Sequence, residues 1–375
     1  MHTTIFFTYG ISLDEWKKTG LISREIAIYE KMHLDHGVNF NFITYGDEKD
    51  LKVIDAKGIK IYPVYTKIKY SQNKYIRIIK TFVIPFIFRD ILRQTSIFKT
   101  NQLKGSWVAI LSKIIFQKPL IIRTGYDAFK WSKFEMRGKV YTFLIKLLTK
   151  TSLIFSNQYN VSTLSDKNFL SKEFKVKDKI KIRPNYIDQK IFKDFKLQRD
   201  DELLFVGRLE EQKNIRFLIN EYKHYELPRL NIIGEGSYKE ELINEITKHN
   251  LNINFIGKVL NQELPNLYNK FKFFILCSKY EGNPKTLLEA MSSGSIVIGS
   301  NVEGINSIIK NKQNGFLINS KIGDLEKVFK LIRSEQINLN EIKENAGNYI
   351  SQNHSLEMLT KIELQDYDKH LRIKS

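Results

Sequence analysis

The sequence predicts an α/β protein built as two doubly wound units, and three observations predict it. At 375 residues the chain is too long for one ordinary core, since domains hold about 100 to 200 residues each. Short apolar runs of strand length alternate with amphipathic stretches of helix length, and the alternation restarts near residue 203. Between the two series, residues 187–202 read IDQKIFKDFKLQRDDE, charged and without apolar periodicity, which is the composition of a linker.

The first series predicts strands at 3–10, 39–46, 59–64, 119–125, 152–157 and 180–185. The second predicts them at 203–208, 229–234, 253–259, 273–278, 295–300 and 315–319, with helical patterns between most of them. The expected units are therefore residues 1–190 and 200–350, with a C-terminal helix over about 355–375 packing back on the first. Open parallel sheets bind ligands outside the carboxyl ends of their strands, so a donor and an acceptor site are expected to face each other across a cleft.

The net charge of +19 is unevenly placed. Residues 1–200 hold 37 Lys and Arg against 18 Asp and Glu, residues 201–375 hold 23 of each, and residues 51–150 alone hold 21 against 4. A genome biased toward Lys would not stop at residue 200, so an anionic partner is expected for the first unit. Residues 73–93, NKYIRIIKTFVIPFIFRDILR, interleave cations with aromatic and aliphatic side chains, and residues 130–150 repeat the chemistry around Trp131, Phe134, Tyr141, Phe143 and Leu147. Such helices can lie in the interface of an anionic membrane. A core-facing helix with solvated lysines explains either segment taken alone. Nucleic acid is not expected, because no zinc-finger spacing, RNP-type run or helix-turn-helix accompanies the basic residues.

Several classes are excluded. The single cysteine, Cys277, forms no internal disulfide, and no Cys/His cluster has metal spacing, which speaks for a reducing compartment. Residues 1–10 read as a strand, not a secretory leader, and the longest strongly apolar stretch, 82–88, contains Pro85 and is far shorter than the roughly 20 residues of a spanning helix. A cytoplasmic location, peripheral on the inner membrane face, is expected. There is no GxGxxG after the first strand, no GxxxxGK[ST], no HExxH and no GxSxG. His33 and His36 read as surface residues, and Asp366-Tyr367-Asp368 reads as the solvated face of a helix.

The informative region is the second unit. In residues 280–294, YEGNPKTLLEAMSSG, Asn283 can cap a helix, Pro284 fits its first turn and Gly294 stops it. The exposed N–H groups and positive dipole end of that helix suit a phosphate or diphosphate. Glu281 before the helix and Glu289 inside it can accept hydroxyl hydrogen bonds from a sugar and a ribose. Residues 204–214, LFVGRLEEQKN, place Gly207 where a backbone can approach closely, with Arg208 and Lys213 able to converge on one diphosphate.

Several blocks occur in the order of the retaining GT-B glycosyltransferases usually called GT4, and the chain resembles that family over most of its length. Residues 185–192, NYIDQKIF, resemble NGVDxxxF; 207–213 resemble GRLxxxKG; 230–238, LNIIGEGSY, resemble LxIxGxGP; 255–259 resemble FxGxV. Glu281 and Glu289, with seven residues between, match the two-glutamate element, followed by AMSSGSIVIGS. The resemblance implies a GT-B architecture, two Rossmann-like domains facing across a cleft, and transfer of a sugar from a nucleotide-sugar, UDP- or GDP-linked, with retention and without a metal or other cofactor. By the same resemblance Arg208 and Lys213 serve the diphosphate, Glu281 the donor sugar, Glu289 the ribose and Val259 the nucleobase. Gly207, Gly282 and the backbone of Asn283, Pro284, Lys285, Thr286 and Leu287 complete the donor site. Catalysis falls to Glu281, Arg208 and Lys213.

On the acceptor side the chain departs from the family. In place of a glycine pair after the first strand it has Gly20 near the first helix, and in place of a His after the strand ending at Thr124 it reads Gly-Tyr-Asp, so Arg123, Tyr126 and Asp127 are the candidates for that contact. The expected acceptor is a lipid-linked or cell-surface saccharide precursor, met at an anionic membrane surface through residues 51–150. The alternatives are a GT-B binding protein without catalysis and a nucleotide-sugar epimerase or hydrolase.

Overall fold

The computed structural model describes residues 1–125, 127–136 and 138–372. They form two compact units, one of residues 1–184 with 359–375, the other of residues 185–358.

The first unit opens with β1 (His2–Phe6), α1 (Leu13–Lys18), α2 (Ile22–His36), β2 (Asn39–Thr44) and β3 (Ile59–Pro63). Three short helices, α3 (Lys74–Thr81), α4 (Ile84–Ile87) and α5 (Arg89–Gln94), lead to β4 (Ile97–Thr100) and α6 (Ser106–Phe116). Then come β5 (Leu120–Thr124), α7 (Ala128–Phe134), α8 (Lys139–Phe155), β6 (Gln158–Val161), α9 (Leu164–Phe174) and β7 (Ile180–Ile182). The seven strands are all parallel in the order β3-β2-β1-β4-β5-β6-β7, so the winding reverses between β1 and β4.

The second unit runs β8 (Asp200–Val206), α10 (Ile215–His224), β9 (Leu230–Ile233), α11 (Lys239–Lys248), β10 (Ile253–Gly257), α12 (Leu264–Lys270) and β11 (Phe271–Leu276). It continues with α13 (Lys285–Ser292), β12 (Ile296–Ser300), β13 (Phe316–Ile318), α14 (Asp324–Arg333) and α15 (Leu339–Asn353). Its six parallel strands lie in the order β10-β9-β8-β11-β12-β13, reversing between β8 and β11. Strand alternation divides the core in two: Leu203 and Phe205 of β8 with Phe273 and Ile275 of β11 enter one face, while Leu204, Val206, Phe274 and Leu276 enter the other. Each such fully buried side chain contributes about 1.5–3 kcal/mol.

Four expectations differ from the structure, the fourth of them in the last helix. The stretch 152–157 reads as a strand, but residues 152–155 are the last turn of α8, with Ser152 and Leu153 buried on its inner face; the strand follows at 158–161. Strand β4 has no counterpart among the expected strands, since it is four residues long with Lys99 in its middle. Residues 187–202 are not a free linker. The chain changes unit at Asn185, and Arg199 donates to the carbonyls of Tyr268 (2.7 Å) and Ser293 (2.5 Å) and to Asp194 Oδ1 (3.0 Å), pinning the segment to the second unit.

The last helix, α16 (Leu356–Arg372), enters the first unit at Leu359. Lys99 Nζ is ion-paired with Glu363, which also accepts from the Tyr367 hydroxyl at 2.8 Å, and burial pushes the Lys99 ammonium well below its usual range. Arg183 grips Asp366 with two bonds of 2.6 and 2.7 Å. Asp366 and Tyr367 are thus buried structural partners, not the solvated face that the sequence suggests.

Candidate active site

In the second unit the expected donor residues gather at the reversal between β8 and β11. Behind β8, Gly207 and Arg208 lead into a 3-10 turn over Glu211–Lys213, and behind β11 the chain passes Cys277 and Ser278 to Glu281. The two turns are stitched together: Lys279 N donates to Gln212 O (2.8 Å), Gln212 Nε2 to Tyr280 O (3.0 Å), and the Cys277 thiol to Lys213 O (3.3 Å). Burial pushes that thiol up to about 12, so it is an inert packing group. The stitching brings Lys213 Nζ into an ion pair with Glu281, whose Oε1 also accepts from Ser278 Oγ at 2.6 Å. Arg208 is exposed, and its charge is felt by Glu210.

The backbone here is packed too tightly for any side chain at two glycines. A Cβ on Gly304, whose φ is +88°, would lie 2.3 Å from Gly282 O and 2.4 Å from Glu281 O. A Cβ on Gly234 would lie 1.9 Å from Gly207 O. The β9–α11 turn is further tied down by Ser237, which donates to Glu210 at 2.7 Å.

Helix α13 starts at Lys285, one residue later than expected, and its cap is Pro284, not Asn283. The Asn283 side chain is turned away from its own helix, accepting from Asn185 N (2.8 Å), while Asn185 Nδ2 donates to Asn283 O (2.7 Å). The N–H groups of the first turn, from Lys285, are therefore not consumed by that side chain. Lys285 Nζ lies 5.4 Å from the centre of the Tyr186 ring, Thr286 is half-buried, and the Leu287 side chain fills the core. Glu289 is fully buried, and Tyr268 of α12 donates to its Oε2 at 3.0 Å. Val259 follows β10 and packs against the core.

Sequence reasoning misses Ser278, Gln212 and Tyr268. Ser278 stands three residues before Glu281, near enough to be found by inspection, whereas Tyr268 reaches Glu289 from another helix and leaves no sequence signal.

In the first unit a pocket of about 250 Å³ lies at the carboxyl ends of β1, β4 and β5. Thr8, Gln102, Lys104, Trp131, Glu135 and Tyr141 line it, with Lys104 Nζ 5.5 Å from the centre of the Tyr141 ring. The acceptor-side expectations lie elsewhere. Gly20 sits in the turn between α1 and α2, and the Arg123 charge is felt by Tyr29, Lys99 and Tyr367. Asp127 is buried as the cap of α7, accepting from Lys130 N at 2.7 Å, and burial pushes its carboxyl up to about 7. Tyr126 lies outside the described residues.

The model of the family described as Glycosyl transferases group 1 matches residues 187–349, inside the second unit and across every donor-side residue named above. The chain is a glycosyltransferase that carries a group 1 glycosyltransferase domain. This transferase is 25% identical over 282 residues to the Campylobacter jejuni GalNAc-alpha-(1->4)-GalNAc-alpha-(1->3)-diNAcBac-PP-undecaprenol alpha-1,4-N-acetyl-D-galactosaminyltransferase, covering 73% of this chain and 72% of that one. It is 29% identical over 221 residues to the Escherichia coli UDP-Gal:alpha-D-GlcNAc-diphosphoundecaprenol alpha-1,3-galactosyltransferase, covering 53% and 56%. Among solved structures it resembles Anabaena HepE in complex with UDP, with a TM-score of 0.77 over 98% of this chain and 100% of the other at 13% identity. That likeness is one of fold, the two-unit α/β architecture called GT-B.

Proposed function

We propose that this transferase, of the GT4 type, moves a sugar with retention and without a metal from a nucleoside diphosphate sugar to a saccharide carried on a lipid diphosphate. It works peripherally on the inner face of the cytoplasmic membrane. The observation that carries the reading is the Lys213–Glu281 pair with Ser278 at the β8/β11 reversal, with the first turn of α13 four residues after Glu281. As the sugar–phosphate bond breaks, negative charge gathers on the leaving diphosphate; Arg208, Lys213 and the α13 amides are the groups that offset it. The diphosphate competes with Glu281 for Lys213, which releases the carboxylate toward the sugar. Glu289, steadied by Tyr268, takes the ribose hydroxyls, and Val259 lies beside the base.

The acceptor saccharide occupies the first unit's pocket, where Trp131 and Tyr141 offer ring surface and Lys104, Glu135 and Gln102 offer polar groups. Support for a lipid-linked acceptor comes from the substrates in the names of the Campylobacter and Escherichia relatives, and for a uridine donor from the UDP bound to HepE. Among the described residues no helix is long and apolar enough to cross a membrane.

The test is a calorimetric and thermal-shift screen of the chain with UDP, GDP, ADP, CMP and their sugars, beside Arg208→Ala and Lys213→Ala. Binding of one nucleoside diphosphate that both variants lose is expected. Binding that survives in both would overturn the assigned diphosphate site.

A further inference from the structure

Two apolar ridges stand out from the first unit without a covering element. On α3 and α4, Tyr75, Ile76, Ile78, Ile79, Phe82, Val83, Phe86 and Ile87 are all exposed, Ile79 by 66% and Phe86 by 62%. On α8, Val140, Phe143, Leu144 and Leu147 follow the i, i+3, i+4, i+7 spacing and face solvent, Val140 by 75%. One short segment, residues 104–107, touches the helix that carries each ridge. Trp107 Nε1 donates to Thr81 Oγ1 at the end of α3 (2.8 Å), and Lys104 sits over the ring of Tyr141 at the start of α8. Lys104 and Tyr141 also line the 250 Å³ pocket, so the ridges flank its neighbourhood.

The charge around the first ridge has one sign. Asp90 is the one carboxylate between residues 56 and 126. Three of the ridge's cations rest on neutral partners: Lys80 donates to Lys69 O at 2.8 Å, Arg77 bonds the Tyr70 hydroxyl and Ser71 O, and Lys74 lies 5.0 Å from the Tyr75 ring centre. The cations near α8 differ, since Lys133 and Lys146 share Glu173 and Lys130 is buried on Asp166.

We infer that the α3–α4 ridge, with the α8 ridge beside it, is the surface by which the first unit inserts into an anionic bilayer. The inference rests on the membrane location proposed above and narrows it from a hundred residues to two ridges. Bulky aliphatic and aromatic side chains enter the acyl boundary while Lys74, Arg77, Lys80, Arg89 and Arg93 meet the headgroups, the division of labour of an interfacial amphipathic helix. A second copy of the chain fits less well, because two such faces would set like charges against each other. The ridges then bring the pocket to the depth at which a lipid-linked saccharide leaves its anchor.

The test is flotation of the full chain with vesicles of phosphatidylglycerol and phosphatidylethanolamine, against phosphatidylcholine alone, at low and high salt. The variants are Phe82→Ser/Phe86→Ser, Phe143→Ser/Leu147→Ser and Lys74→Gln/Lys80→Gln, with melting temperature as the check on folding and light scattering for molar mass. Each apolar pair is expected to lower partitioning by about tenfold, and the cation pair to lower it on anionic vesicles only, more at low salt. Wild-type binding that all folded variants retain would overturn the assigned surface while leaving the membrane location intact. No binding by the wild type to either vesicle would overturn both. A wild-type dimer that the apolar variants convert to monomers would assign the ridges to self-association instead.

Discussion

Asp127→Asn is expected to stabilise the protein at alkaline pH far more than in acid. Burial raises the Asp127 carboxyl from an ordinary 3.8 to about 7; Asp166 pushes the same way, while the backbone N–H groups of Lys130 and Phe129 and the Lys130 charge oppose it. The folded protein therefore binds this proton more tightly than the unfolded chain does. The stability it contributes is fully present below about pH 4 and is lost as pH rises through about 7. Each tenfold gain in proton affinity is worth about 1.36 kcal/mol, so the rise to about 7 sets a ceiling of about 4 kcal/mol. The amide keeps an oxygen to accept from Lys130 N, so the cap of α7 survives, and Lys130 Nζ keeps Asp166 at 3.1 Å. Denaturant unfolding of wild type and variant at about pH 5 and about pH 8.5 is the assay. The variant's gain is expected to be larger at the higher pH by about 2.5 kcal/mol, a difference that any fixed packing effect of the amide cancels out of. A gain that does not change with pH, or a loss at the higher pH, would refute the reasoning.

Three further outcomes are expected. Tyr268→Phe removes the 3.0 Å bond to buried Glu289 and is expected to weaken nucleoside diphosphate binding by about tenfold in calorimetry and to lower the unfolding free energy by about 1–3 kcal/mol. Gly304→Ala drives a Cβ into the carbonyls of Glu281 and Gly282 at a left-handed φ; a loss of about 2–4 kcal/mol in unfolding free energy and of nucleotide binding follows, and an unchanged melting curve would contradict it. Burial lowers the His370 imidazole below its ordinary 6.5, so the unfolded chain binds more protons and stability falls as pH drops below about 6.5. His370→Gln is expected to flatten that slope in thermal unfolding between about pH 7 and pH 5.

The second unit is far more legible in the sequence than the first. Most of its six strands are short apolar runs with a glycine close to one end, and Arg208, Lys213 and Glu281 sit in short contiguous blocks after strand ends, with Glu289 in the helix that follows. What local rules miss is made by distance: Tyr268 reaches Glu289 across 21 positions, and the Asn283 side chain serves Asn185 rather than its own helix. In the first unit β4 escapes notice because its central Lys99 is neutralised by Glu363, 264 positions away. Asp127, a polar residue beside a strand end, reads as an acceptor-side residue, and its place as the buried cap of α7 is set by a bond only three residues away. The pocket of Trp131 and Tyr141 is hidden among the very aromatics that composition assigns to a membrane or a core.

The return of α16 to the first unit has a consequence for how the chain is made. On the ribosome, residues 185–358 emerge in one piece and can fold as soon as they clear the exit tunnel. The first unit begins earlier yet waits longest, holding Lys99 and Arg183 without Glu363 and Asp366 until the final helix is synthesised. Until α16 packs, the Lys99 ammonium has no buried carboxylate beside it and stays hydrated, so that part of the sheet cannot close. A nascent chain of this kind is a natural client for chaperones, and its N-terminal half is the last part to become native.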